Sequence, residues 1–211
     1  MSKKVKDQKL DTSTRSKVVI RVGVGYGWMK PEKPDVINGR EVLSDICWKT
    51  LQKAFTEKHR WLEKDNAEVQ FSRLRASQGD IAWKSILNQI KKSDILVFDV
   101  AAAPVLRTSK TKKDCGDLSG KIASMKKSGN KFNPNVLIEI GAAIGMKKTI
   151  MLLCPKDFED DIPSDLRAYM WTLYKWQGVG KCAHRVFVDQ YGMQNGYIGM
   201  LRRVLKEKRG E

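Results

Sequence analysis

One carboxylate stands out for the company it keeps. Residues Asn133–Met146 read NPNVLIEIGAAIGM, and from Val136 to Met146 every residue is apolar or Gly except Glu139. A helix that is apolar all round is buried on more than one side. A lone acid in it is costly unless it is paired, protonated or turned towards a wet cleft. Such a group is suited to stabilising or attacking positive charge that develops on a substrate. A second acid, Asp99, closes the run SDILVFDV, where it either joins Glu139 in a site or caps the end of a strand. Gly25-Tyr26-Gly27-Trp28 follows the first apolar strand. The glycines Gly23 and Gly25 suggest a dinucleotide fingerprint, but G-x-G-x-x-G needs a third Gly where Trp28 stands. The simpler expectation is a tight turn at the strand end, which glycine permits. Two histidines, His59 and His184, are too few and too badly spaced for a zinc site, and no metal is expected. No P-loop, H-E-x-x-H or G-x-S-x-G occurs, which removes support for kinase, zinc-protease and esterase chemistry.

These residues need elements to hold them. Asn133 is a good N-cap and Pro134 suits the first helical position. Ser93–Val100 and Thr149–Cys154 (TIMLLC) read as buried strands on either side of that helix. Val18–Val24 is the first strand and Val69–Leu74 (VQFSRL) the second. Glu41–His59 carries an apolar stripe at helical spacing, as does Asp80–Lys92. Ile162–Leu166 reads as a capped turn, Tyr169–Trp176 as a last strand and Gly196–Lys208 as a C-terminal helix. Strands alternating with helices predict a parallel sheet covered on both faces. Ligands of such sheets sit beyond the strand C-termini, at the switch between the first and third strands.

The chain has 211 residues, 41% of them hydrophobic, and a formal net charge of +16. This is enough for one domain with a core, and no apolar run reaches the ~20 residues of a membrane span. Residues 1–17 carry six Lys and Arg against two Asp, a net +4, and are expected to form a basic flexible arm. They lack the apolar stretch of a secretory signal. Four cysteines without C-x-x-C spacing fit a reducing cytoplasm, with Cys47 and Cys154 as core residues. Residues 101–132 hold eight Lys and Arg against two Asp, a net +6. A loop this long is usually functional or disordered. With Lys110, Lys112 and Lys113 as phosphate contacts it would be a flap over the site; otherwise it is a solvated insertion or a partner contact. The charge favours a polyanion, so nucleic acid is a candidate partner for both loop and arm. No aromatic residue interleaves the lysines for base stacking.

The succession SDILVFDV, NPNVLIEIGAAIGMKKTIMLLCP and IPSDLRAY resembles the nucleoside 2-deoxyribosyltransferase-like and Toll/interleukin-receptor (TIR)-like nucleotide-processing families, over roughly residues 17–176. Their shared pattern is a strand ending in Asp, a helix carrying E-x-G-x-A, then a Lys and an apolar strand. The deoxyribosyltransferases usually place D-x-G-T before the helix, where this chain has Asn133-Pro134-Asn135-Val136. The resemblance implies a flavodoxin-like three-layer α/β sandwich with five parallel strands in the order 2-1-3-4-5, as one domain over residues 18–211. It implies cleavage of an N-glycosidic bond in NAD or a nucleotide, by hydrolysis or transfer, with no cofactor besides the substrate. Breaking a ribosyl C–N bond builds positive charge on the sugar, and a carboxylate beneath C1′ meets it. Glu139 takes that role by the resemblance, Asp99 helps orient base or sugar, and Tyr26 falls where these enzymes carry a Tyr that bonds the catalytic Glu. Gly25, Gly27, Trp28, Asn133, Asn135 and Gly141 complete the expected substrate surface. A homo-oligomer and a role in antiphage defence are implied as well. The alternative is a non-catalytic sensor that binds a nucleotide or nucleic acid in the same crevice.

Overall fold

The apolar runs pair into a single sheet. A computed structural model describes residues 17–26, 62, 64–74, 82–101, 132–177 and 184–211, with only the backbone described at positions 26, 176, 177, 184 and 185. Among the described residues the strands are β1 (Val18–Tyr26), β2 (Ala67–Arg73), β3 (Ile95–Asp99), β4 (Thr149–Pro155), β5 (Trp171–Gln177) and β6 (His184–Phe187). Their order is β2-β1-β3-β4-β5-β6. The pairs from β2 through β5 are all parallel, and β6 adds to β5 antiparallel. The expected order 2-1-3-4-5 is kept, but five wholly parallel strands become six of mixed direction. The sixth escaped the sequence reading because His184-Arg185-Val186-Phe187 is short and half polar, as edge strands tend to be.

Among the described residues three α-helices pack against this sheet: α1 (Ala82–Lys92), α2 (Pro134–Gly145) and α3 (Gln190–Arg209). Leu96, Phe98, Leu152 and Cys154 meet Ile90 of α1 and Val136, Ile140 and Ala143 of α2 on one face. Ile20, Val22, Val24, Val97, Leu153 and Tyr174 meet Tyr197, Leu201 and Val204 of α3 on the other. β3 and β4 are therefore buried on both sides, which is why they read as unbroken apolar runs. Each such aliphatic side chain is worth about 1.5–3 kcal/mol when fully buried. Cys154 is a buried free thiol, as expected of a core cysteine; Cys47 lies outside the described residues, as does the helix expected over Glu41–His59.

Among the boundaries that moved are those of β1 and α3. β1 continues through Gly25 to Tyr26 instead of turning at Gly25. α3 starts at Gln190, six residues before the expected Gly196, because Asp189 caps it by accepting from the Gly192 N–H at 2.7 Å. Gly196 instead lies inside the helix against the Met170 thioether: a methyl group there would stand 2.7 Å from Sδ, so the flexible Met170 side chain would have to shift. No described helix is long and apolar enough to cross a membrane.

Candidate active site

Parallel strands finish at a common edge, and a crevice opens where neighbouring connections leave in opposite directions. Here that point lies between β1 and β3, whose last paired residues are Gly25 with Phe98 and Tyr26 with Asp99. α2 is fastened at this edge. Asn133 (φ −82°, ψ 117°) accepts on Oδ1 from the N–H groups of Asn135 at 3.0 Å and Val136 at 3.3 Å. Its own N–H donates to the Val100 carbonyl at 2.9 Å, tying the helix start to the end of β3. Capping thus accounts for Asn133, while Asn135 stands exposed on the first turn.

Glu139 faces the sheet from the second turn of α2 and is 7% exposed. Its Oε2 lies against the backbone of β1. A methyl group on Gly25 would sit 2.8 Å from Oε2 and 2.5 Å from Phe98 Cδ1, so only glycine leaves room for the acid and the ring together. Glycine serves close approach at this position, where β1 is still extended; Gly27 and Trp28 of the expected turn lie outside the described residues. Among the described residues Oε2 has no hydrogen-bond partner. Removal from water without compensation disfavours the charged form, and burial pushes the Glu139 carboxyl up to about 7. The group is therefore part protonated and part ionised at neutral pH.

Asp99 is in a different situation. It is 2% exposed and accepts from the Tyr174 hydroxyl on both oxygens, at 2.9 and 3.1 Å, and from the Ala101 N–H at 3.2 Å. Successive strand residues point to opposite faces. Gly25 and Phe98 share the face of Glu139, while Asp99 follows Ile95 and Val97 to the α3 face, where Tyr174 is packed. The two acids are thus held at the same strand ends but on opposite sides of the sheet. Tyr174 was not singled out in the sequence. Its partner lies 75 residues away, and in a strand that also holds Thr172, Lys175 and Gln177 nothing marked its hydroxyl out.

The remaining expected site residues divide. Tyr26 ends β1 beside Asp99, with its backbone alone described. Gly141 is exposed, and among the described residues nothing lies within 4 Å of where its side chain would be, so it thins the surface for no described neighbour. Gly27, Trp28, Lys110, Lys112 and Lys113 lie outside the described residues. The flanks of the basic segment are nevertheless fixed: Ala101 and Phe132 form an antiparallel bridge, and the Phe132 ring packs edge-on to Phe158 at 6.3 Å. Both ends of the segment therefore stand at the C-terminal end of β3, beside the crevice. Among the described residues no three His, Cys, Asp or Glu side chains gather as a metal site would require. The chain matches no protein-family model, and no curated protein matches it.

Proposed function

We infer that the chain cleaves the N-glycosidic bond of a nucleotide, with NAD or a (deoxy)nucleoside as substrate and Glu139 as the carboxylate that meets the charge forming at C1′. The observation that carries this reading is a buried carboxyl, short of partners among the described residues, at the switch between β1 and β3. As the C1′–N bond breaks, its electron pair leaves with the base and the sugar becomes cationic. The ionised carboxylate stabilises that cation or bonds to C1′ as an ester. Water then bonds its oxygen to C1′, breaking the ester bond where one has formed so that the carboxylate is released, and gives up a proton; in a transfer a nitrogen of a second base does the same. When the leaving group is a pyridinium ring, the departing pair neutralises it and no acid is required.

Asp99 acts by position in this account. Its bond to the Ala101 N–H sets where the basic segment leaves β3. The nucleotide's phosphates would fall to Lys110, Lys112 and Lys113, with the arm and this segment also available to nucleic acid. The strand order and the E-x-G-x-A helix support a flavodoxin-like fold of the TIR-like or deoxyribosyltransferase-like kind. From that resemblance come the homo-oligomer and the role in antiphage defence. A second reading, a sensor that binds a nucleotide intact, is favoured by one fact: the bonds from Tyr174 and Ala101 occupy Asp99 on the face of the sheet opposite Glu139, so the two acids do not work as a pair. Incubation with NAD, deoxynucleosides and nucleotides, followed by product identification, separates the two. Free base or nicotinamide means an enzyme; saturable binding with intact ligand means a sensor.

A further inference from the structure

The opposite edge of the sheet carries a concentration of positive charge. Asp94 and Lys148 immediately precede β3 and β4, so they mark the N-terminal edge, away from the crevice. Asp94 accepts from the Arg21 N–H at 2.7 Å and pairs with Lys208 of α3 at 3.0 Å. Lys148 Nζ donates to the carbonyls of Lys91 at 2.6 Å and Ser93 at 2.9 Å, closing the C-terminus of α1. Lys91, Lys92 and Lys147 stand exposed beside it. Lys91, Lys92, Lys147, Lys148 and Lys208 therefore stand at this edge with Asp94, a sum of 5 − 1 = +4 over these six side chains. Burial, with the like charges of Lys208 and Lys91, holds the Lys148 ammonium below its usual range, although Asp94 pulls it the other way. Lys147 adds a separate sign. It sits at φ 54° in the left-handed region, at a helix end where glycine is usual. A cation is kept there despite the strain.

We propose that this N-terminal edge is a binding surface for the phosphate backbone of duplex nucleic acid, independent of the crevice. The patch names its partner by what surrounds it. None of the described large apolar side chains that stand exposed, Trp83, Ile138, Met146, Val188 and Tyr191, belongs to this lysine group, although Met146 precedes Lys147. Among the described residues bases find no aromatic platform here to stack on, which disfavours single strands. Repeated phosphates along a duplex match a cluster of exposed ammonium groups and need no base reading.

The test uses the full chain, a short labelled DNA duplex of two unrelated sequences, and titration from about 50 to 200 mM salt. Lys91, Lys92 and Lys147 have exposed side chains whose loss removes no described bond, so all three are changed to Gln together. A matched variant changes Lys84, Lys156 and Lys175, which lie away from this edge. Wild type should bind both sequences alike. The edge variant should weaken binding on the order of tenfold and reduce the salt slope by about three, one for each lost phosphate contact. A charge-preserving triple Lys→Arg variant should retain binding. Absence of duplex binding by wild type, an unchanged slope in the edge variant, an equal loss in the matched variant, or preference for anionic lipid vesicles over the duplex would each overturn the proposal.

Discussion

At the scale of the residue, Glu139 links stability and chemistry through one proton. Its carboxyl titrates near 7 in the folded chain against an ordinary 4.5. The folded state therefore holds the proton more tightly than the unfolded chain does. Stability from this group is fully present below about pH 4.5, is lost as pH rises through 7, and amounts to about 3 kcal/mol across that window. Melting temperature should fall between pH 5 and 8 in wild type, and Glu139→Gln should flatten that fall, as thermal melts at stepped pH would read. Gly25→Ala tests the geometry from the other side. The added methyl meets the buried Phe98 ring and Oε2, so we expect a loss of about 1–3 kcal/mol from overpacking. Turnover should drop beyond what unfolding explains, measured well below the melting point. Glu139 was legible in the sequence because a single acid interrupts a long apolar run. Its partnership with Gly25 was not, since nothing in a strand glycine tells which distant atom comes close.

At the scale of the element, local signals placed the middles of strands and helices, and tertiary contacts set their ends. Asn133-Pro134 announced α2 from the sequence, and the cap is built as those residue types dictate. The start of α3 was hidden because Gly192 and Gly196 weaken helix propensity, while Asp189 and the Met170 contact compensate. The end of α2 offers a clean measurement. The N–H groups of Lys147 and Lys148 bond the carbonyls of Ile144 and Ala143 at 2.8 and 3.0 Å, the Schellman pattern that prefers glycine at the left-handed position. Lys147→Gly should therefore hold or raise stability, by up to about 1 kcal/mol, as denaturant titration would show. A clear destabilisation would mean that the Lys147 side chain holds the helix end.

At the scale of the molecule, the sheet separates two chemistries. One edge gathers Gly25, Asp99 and the Glu139 carboxyl; the other gathers lysines around Asp94. Alternating strands and helices in the sequence pointed to the α/β class. The same alternation predicted the parallel pairing seen from β2 through β5; the face on which each acid lies depends on register, which sequence spacing does not specify. The homo-oligomer we propose should appear as a multiple of the chain mass by light scattering at tens of micromolar; a monomer retaining full activity would remove it. The central claim rests on Glu139 and is tested by turnover of the cleaved substrate, wild type against Glu139→Gln, with melting temperature recorded on the same samples. The account predicts a folded variant with turnover reduced on the order of a thousandfold, little change in substrate binding, and a wild-type rate that rises with pH through about 7. A folded variant that turns over at the wild-type rate would contradict it.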